Sequence, residues 1–112
     1  MGAVAYTVRC EIDDAEVAGQ WATWMREEHL ADVCAAGASA ATLVRIDDEG
    51  PLTFEARYLF DSPEAFETYE RDHAPTLRAE GLARFPLERG LSYTRSVGEV
   101  LASEVTAPFA WR

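Results

Sequence analysis

The sequence contains two histidines, His29 and His73, and each lies near the end of a predicted helix. Histidine titrates near neutral pH, so it is the side chain best suited to take up and return a proton. The negative end of a helix also stabilises a charged imidazole. Either histidine could therefore act as a general acid or base. A structural alternative stays open, in which each imidazole hydrogen bonds backbone groups where its helix ends.

Six aromatic side chains with a polar atom point, by their periodicity, between the predicted sheet and its helices. A buried Tyr hydroxyl or Trp N–H needs a hydrogen-bond partner. Aromatic walls with a few polar atoms suit a flat aromatic or polyketide-like ligand. The same rings could instead fill the core, as we expect of Phe54 and Phe66. The predicted ligand-binding residues of this kind are Tyr6, Trp21, Trp24, Tyr58, Tyr69 and Tyr93.

Three arginines are candidates for binding an anionic group of such a ligand. Arg95 lies on the inward row of the last predicted strand, and a buried arginine has to be paired with an acid or with an anionic ligand. Arg26 and Arg84 lie near the helix ends and could close the same pocket. Ordinary salt bridges are the simpler explanation for all three.

The sequence lacks the motifs of several other chemistries. The two histidines do not form an H-x-x-x-H pair and no haem-attachment motif is present, so we predict no metal site and no cofactor. A nucleophile elbow, a phosphate-binding loop and a dinucleotide-binding glycine motif are also absent. Since the chain has no lysine, Schiff-base chemistry is excluded.

Length and charge limit the classes of partner. The chain has 112 residues and a formal net charge of -10, so we expect one domain over residues 1–112 with neither nucleic acid nor an anionic membrane as a partner. No segment approaches the roughly 18 apolar residues of a membrane span, and the first residues do not resemble a secretion signal. We therefore expect a cytoplasmic protein with Cys10 and Cys34 reduced.

Alternating apolar and polar residues predict four β-strands. The turn-forming residues 47–51 join the second strand to the third, so this pair is predicted to be an antiparallel hairpin. The strands are predicted at residues 4–12, 40–46, 52–60 and about 90–100.

Two helices are predicted between these strands. Asp13 and Asp14 provide an N-cap for the first helix, and a less regular turn from Leu30 to Ala36 follows it and is expected to end at Gly37. Ser62 followed by Pro63 is typical of a helix start, and Pro75 is expected to interrupt that second helix.

The order β-α-β-β-α-β predicts a ferredoxin-like fold of the α+β class. Right-handed crossovers place both helices on one face of a four-stranded antiparallel sheet. A weak internal repeat between residues 25–37 and 69–81 agrees with two such halves. Residues 103–112 have no periodicity and are predicted to form a C-terminal arm.

The other face of the sheet carries no helix, and we predict that it forms the interface of a homodimer. An isologous contact would let each Arg meet a Glu across the two-fold axis, and Phe109 and Trp111 of the arm could add to it. A face exposed to water is the alternative. The residues predicted on this face are Thr7, Arg9, Glu11, Leu43, Arg45, Glu55, Arg57, Leu59 and Thr94.

Two segments carry a resemblance to known proteins: WATWMREEHLADV, residues 21–33, and YERDHAPTLRAEGLARFP, residues 69–86. Over about residues 3–100 the sequence resembles a bacterial family known only as a domain of unknown function, within the dimeric α+β barrel superfamily. The resemblance implies two ferredoxin-like subunits packed sheet to sheet. Wider relatives include cofactor-free monooxygenases, polyketide cyclases, isomerases, haem-binding proteins and stress-response proteins, and they often have a pocket between sheet and helices.

Three hypotheses about function follow. The favoured one is a cofactor-independent isomerase, cyclase or monooxygenase for a hydrophobic aromatic or polyketide-like molecule, in which His29 or His73 moves a proton and an Arg steadies an oxyanion. The second is a non-catalytic dimer that binds a small molecule or a protein, with structural histidines. The third is a pH-sensing dimer whose histidines bias the interface.

Overall fold

A four-stranded antiparallel sheet forms the base of the fold in the computed structural model, which describes residues 2–47 and 52–106. The strand order is β2-β3-β1-β4, with helical crossovers on one face. This arrangement confirms the predicted ferredoxin-like fold. The strands are β1 (Val4–Ile12), β2 (Ala40–Ile46), β3 (Leu52–Phe60) and β4 (Leu91–Glu99).

Each of the two predicted helices consists of two segments. The first passes through a π turn, Met25–His29, in which the N–H of Leu30 donates to the carbonyl of Met25. The second breaks at His73, two residues before Pro75, as predicted. The helical segments are α1 (Ala15–Trp24), α2 (Leu30–Ala35), α3 (Pro63–Asp72) and α4 (Ala74–Arg84), and a 3-10 turn (Leu87–Arg89) precedes β4.

Side-chain caps start α1 and α3 where the sequence predicts. Asp14 Oδ1 accepts hydrogen bonds from the backbone N–H groups of Glu16 and Val17 at 2.8 and 3.1 Å. Ser62 Oγ accepts one from the N–H of Ala65 at 3.1 Å. These contacts satisfy N–H groups that have no partner inside the helix.

The register of the sheet determines which side chains face the helices. In β1 the buried Tyr6 and Cys10 lie on the helix-covered face. Arg95 is opposite Val8 and Tyr93 is opposite Cys10 across the β1–β4 pair. Because directly paired residues point to the same side of a sheet, Arg95 and Tyr93 also face the helices, as predicted.

The placement of β2 corrects one prediction. Leu43 pairs with Ala56 and Arg45 pairs with Phe54, so both lie on the helix-covered side of the sheet and not on its helix-free face. The helix-free face of β2 instead carries Thr42, Val44 and Ile46. Since both alternating rows of this edge strand contain apolar residues, its sequence alone does not set its orientation, and the pairing with β3 does.

Parts of two predicted features lie outside the described residues. These are residues 48–51 of the hairpin turn and residues 107–112 of the arm, including Phe109 and Trp111. Residues 103–106 of the arm have no regular secondary structure. Within the described ranges, no helix is long and apolar enough to cross a membrane.

Gly90, directly before β4, has a backbone conformation that a substitution can test. It has a φ of +93°, and a Cβ added there would lie 3.4 Å from Cβ of Asp13. L side chains rarely adopt this conformation, so we expect Gly90→Ala to lower the free energy of unfolding by about 1–2 kcal/mol. Urea denaturation at a fixed protein concentration measures the change.

Gly19→Ala is the matched control for this substitution. Gly19 lies inside α1 with nothing within 4 Å of an added Cβ. Alanine favours a helix over glycine, so this variant should gain about 0.5–1 kcal/mol in unfolding free energy. A Gly90→Ala protein as stable as wild type would contradict the conformation assigned to Gly90.

Candidate functional site

A cavity lies between the helix-covered face of the sheet and the helices. Its volume is about 70 Å³, and the empty space reaches about 600 Å³ when its opening to solvent is included. Its walls are mainly aromatic and aliphatic. The lining residues are Tyr6, Val8, Trp21, Trp24, Met25, His29, Tyr58, Tyr69, Leu77, Arg78, Gly81, Leu82, Tyr93 and Arg95.

Three residues proposed from the sequence lie away from this cavity. His73 is exposed at the break between α3 and α4, where its side chain makes no capping hydrogen bond. Arg26 is exposed in the π turn. Arg84 lies outside the wall, with its guanidinium 5.9 Å from the Trp24 ring and 3.4 Å from Glu28 Oε1. The structure therefore brings His29, but not His73, together with the predicted aromatic residues and Arg95.

The π turn places Trp24 and His29 on the same face of the helix. Residues five apart in an α-helix point about 140° away from each other, whereas the wider π turn brings them into line. Their rings stack with centroids 4.6 Å apart and 29° between the planes. Among the described residues, the buried Trp24 Nε1 and His29 Nδ1 have no hydrogen-bond partner. Buried polar atoms are normally hydrogen-bonded, so both require a partner that the described chain does not supply.

Burial determines the protonation state of His29. It lowers the pKa of His29 below its ordinary value of 6.5, and the carboxylate of Asp32 offsets only part of that shift. The imidazole is therefore neutral at pH 7, because a charged ring is disfavoured away from water. A neutral imidazole has one nitrogen lone pair that accepts a proton. This is the form that a general base needs.

Two tyrosine hydroxyls at the cavity are each held by a fixed donor. Trp21 Nε1 donates to the Tyr93 hydroxyl at 3.0 Å. Arg78 donates to the Tyr6 hydroxyl at 3.1 Å and to both carboxylate oxygens of Glu70 at 2.8 Å. Because the Tyr6 oxygen accepts here, its own O–H stays available as a donor, whereas the Tyr93 hydroxyl is also hydrogen bonded to the Cys10 side chain. Burial also raises the pKa of Tyr93 to about 12, so this phenol keeps its proton at neutral pH.

Arg78 is the functional candidate that the sequence interpretation missed. It lies in α4, and its helical neighbours Ala74, Leu77 and Gly81 turn toward the sheet with it. Positions 74, 77, 78 and 81 follow the i, i+3, i+4, i+7 spacing of one helix face. This periodicity is the signal that could have located Arg78.

A reactive thiol or a group of metal ligands would offer other chemistries in the described part of the chain. Burial raises the pKa of Cys10 to about 12, so its thiol stays protonated and unreactive. No three His, Cys, Asp or Glu side chains in residues 2–47 and 52–106 come together to hold a metal ion.

Residues 3–98 match the profile of a domain family of unknown function, DUF4286. The chain belongs to this family. The match confirms the resemblance found in the sequence, which had also pointed to a family without an assigned activity. No curated protein matches the chain.

Solved structures of several other proteins share the fold. A dimeric ferredoxin-like protein from an uncultured marine organism has a TM-score of 0.66 and 12% identity, covering 93% of this chain and 100% of that one. A protein of unknown function from Nitrosomonas europaea has a TM-score of 0.64 and 20% identity, covering 96% and 97%. SnoaB, a cofactor-independent oxygenase from Streptomyces nogalater, has a TM-score of 0.62 and 14% identity, covering 97% and 100%. At these identities the likeness shows the fold alone.

The lowered pKa of His29 predicts that acid weakens the fold. Between the folded-state pKa and 6.5 the unfolded chain binds more protons, so the stability that His29 contributes is complete above 6.5 and is lost as the pH falls through the lowered pKa. We expect the unfolding free energy to fall from about pH 7.5 to about pH 5.5. Urea denaturation at several pH values measures this slope.

His29→Gln should show a smaller fall in stability over this pH range than wild type. His73→Gln, which removes the exposed imidazole outside the cavity, is the matched control and should keep the wild-type slope. Equal slopes for wild type and His29→Gln would contradict the burial of His29.

Proposed function

We propose that the chain is a cofactor-independent enzyme that binds a hydrophobic aromatic or polyketide-like molecule in the cavity and moves a proton with His29. The observation that carries this proposal is a neutral imidazole with an unpartnered nitrogen at an aromatic cavity. The enzyme would act in the cytoplasm. The walls that would hold the rings of the ligand are Trp21, Trp24, Tyr58 and Tyr69.

In the proposed reaction, His29 removes a proton from a carbon next to a carbonyl group of the ligand. The C–H electron pair moves toward the carbonyl oxygen, so an enolate and an imidazolium form together, and the imidazolium later returns the proton. Isomerisation, cyclisation and oxygenation of an enolate can all begin with this step. Burial disfavours imidazolium in the empty site, but the adjacent enolate offsets that cost because opposite charges attract strongly away from water.

The Tyr6 hydroxyl is the proposed donor to the enolate oxygen. Its oxygen already accepts from Arg78, which Glu70 holds in place, so its proton can point into the cavity. A donor that is positioned before the charge develops stabilises a transition state without reorganisation. Arg78 acts through Tyr6 in this scheme and is a positioning residue.

The shared fold supports the reaction class by analogy. SnoaB is described as a cofactor-independent oxygenase, and its fold matches this chain over 97% of the residues. Because one fold hosts many activities, this analogy supports the proposed class of reaction without identifying the substrate.

A non-catalytic ligand-binding module is the second candidate function. The stacking of His29 on Trp24 at 4.6 Å favours it, because this contact gives the imidazole a packing role that needs no proton transfer. Such a module would still bind aromatic molecules in the cavity but would not exchange their protons.

Deuterium exchange of 2-tetralone distinguishes the two candidates. This bicyclic aromatic ketone has acidic C–H bonds next to its carbonyl. In D2O, His29 would remove a proton, the imidazolium would exchange that proton for a deuteron of the solvent, and return of the deuteron to carbon would replace H with D without any other reactant. We expect wild type to accelerate exchange above the buffer rate. His29→Gln should lower the protein-dependent rate by about 100-fold or more. Proton NMR follows the loss of the C–H signal.

His73→Gln is the matched control and should exchange at the wild-type rate. The wild-type rate should rise with pH through the lowered pKa of His29 and be level above 6.5, since only the neutral imidazole accepts a proton. If wild type and a folded His29→Gln protein exchange equally, His29 is not the base and the binding module is the better description.

We also propose that two copies of the chain pack through the helix-free sheet face. Arg9 contacts Glu55 at 3.2 Å and Glu11 at 3.4 Å, and Arg57 contacts Glu55 at 2.8 Å. These pairs form within one chain, where the sequence had suggested pairs across the axis. The face thus carries two arginines and two glutamates in contact with each other, and the exposed Leu59, which is 41% accessible, lies beyond Arg57 near the end of β3. The similar marine protein is described as dimeric.

Neither histidine lies on this face, since both belong to the helical layer. A pH-sensing dimer that uses His29 and His73 at this interface therefore has no structural basis. This face has equal numbers of acidic and basic side chains and is partly apolar. Burial of such a surface is more typical of a permanent homodimer than of a dimer controlled by pH.

Leu59→Asp tests the proposed interface. A carboxylate on this face would be buried without a partner in the dimer, so we expect this variant to be monomeric by native mass spectrometry where wild type is dimeric. Leu87→Asp is the matched control, because Leu87 is an exposed leucine in the 3-10 turn, outside the sheet. A monomeric wild type, or a Leu59→Asp dimer, would argue against this face.

A further inference from the structure

We infer that the ligand of the cavity is an aromatic acid whose carboxylate binds Arg95 at the cavity opening. The inference rests on the proposed function in one respect, that the cavity holds an aromatic ligand. It adds the charge of that ligand and the residue that selects it.

The charges at the cavity differ from those of the whole chain. The sequence has 20 acidic residues against 10 arginines, with a net charge of -10. Among the described residues that line the cavity, however, there are two arginines, Arg78 and Arg95, and no Asp or Glu. A cavity without acids in so acidic a chain favours an anionic occupant, because a cationic one would meet like charge and no partner.

Arg78 and Arg95 differ in what they already contact. Arg78 already has an acidic partner, because its Nη2 donates to the carboxylate of Glu70 as well as to the hydroxyl of Tyr6. Arg95 forms no salt bridge within residues 2–47 and 52–106. Its guanidinium instead lies 5.8 Å from the centre of the Tyr93 ring. Of the two cavity cations, Arg95 is therefore the one whose charge has no carboxylate partner among the described residues.

The position of Arg95 suits a ligand whose aromatic ring lies inside the cavity and whose charged group lies at the cavity opening. Arg95 faces the helices from the edge strand β4, opposite Val8, and it is exposed to solvent while lining the cavity. Its planar guanidinium can hold both oxygens of a carboxylate at once. The apolar walls behind it would bury the aromatic part, and the carboxylate would stay near water, where its desolvation cost is small.

Tyr93 provides a fixed aromatic ring beside Arg95. The two residues are separated by one position on β4, so their side chains stand on the same face about 7 Å apart along the strand. Tyr93 accepts from Trp21 Nε1 at 3.0 Å, which holds its hydroxyl in place. A carboxylate on Arg95 would gain a charged contact, and the aromatic part of the ligand could pack against the fixed Tyr93 ring. The negative field of the rest of the chain repels anions at long range, so selective binding needs such a local contact.

Binding of 2-naphthoate and 2-naphthamide tests the inference. The two molecules share the flat ring and nearly the same shape, but only 2-naphthoate is charged at pH 7. We expect wild type to bind 2-naphthoate at least about tenfold more tightly, as one charge-assisted contact allows. Titration calorimetry measures both affinities.

Arg95→Gln should remove the preference for 2-naphthoate and leave the affinity for 2-naphthamide unchanged. The unchanged amide affinity also shows that the variant is folded and that its cavity is intact. Arg45→Gln is the matched control. Arg45 is likewise exposed and without a salt bridge in the described residues, but it lies on β2 at the opposite edge of the sheet, so its variant should keep the wild-type preference.

The outcomes separate this inference from the proposed catalysis. Equal affinities of wild type for the two probes, or an Arg95→Gln variant that still prefers 2-naphthoate, would overturn the anion site while the exchange activity of His29 could stand. A clear preference for 2-naphthoate in a protein without exchange activity would support the anion site within a binding module. If neither probe binds, both the anion site and the aromatic ligand cavity are wrong.

Discussion

The alternation of side chains along β1 is the constraint on which both the cavity and the helix-free sheet face depend. β1 is hydrogen-bonded to β3 on one edge and to β4 on the other, so its two rows of side chains are fixed from both sides. Tyr6 and Val8 face the cavity, whereas Arg9 on the opposite row pairs with Glu55. A slip by one residue would exchange the two rows. The cavity and the helix-free face are therefore consequences of the same register.

The rigid rings above β1 help to explain why a cavity remains. Aromatic side chains pack in a few offset or tilted geometries and cannot deform to fill a gap, and Tyr6 and Tyr58 lie with centroids 5.9 Å apart. On the helix side, a Cβ at Gly81 of α4 would lie 3.2 Å from Cη2 of Trp24, so α4 approaches the indole closely only because this position is glycine. The indole in turn stacks on His29 across the π turn. The walls are thus well packed against each other, while the space that they enclose stays open.

The features that the sequence predicted are those with a local cause. Asp14 caps a helix, Pro75 breaks one, and strict alternation turns Arg95 inward; each needs only its neighbours in the sequence. The π turn at Met25–His29 has no such signal, because it depends on how the helix packs. The internal repeat suggested similar roles for the two histidines, but the break before Pro75 leaves His73 exposed. Local sequence patterns therefore predicted which side chains of the strands face the helices. Which of the candidate residues line the cavity could be seen only in the folded structure.

The arrangement of charge explains how an acidic chain could select an acidic ligand. Several arginines outside the cavity contact a nearby acid, as Arg71 contacts Asp72 at 2.9 Å. At the cavity, Arg95 is left without such a partner in the described chain, so a ligand carboxylate displaces water and breaks no existing salt bridge. The long-range field of the chain is screened over about 8–10 Å in physiological salt, whereas a contact at a partly buried site is screened much less. We therefore expect repulsion to disfavour small anions in general, and the proposed site to bind an anion only when its apolar part also fills the aromatic cavity.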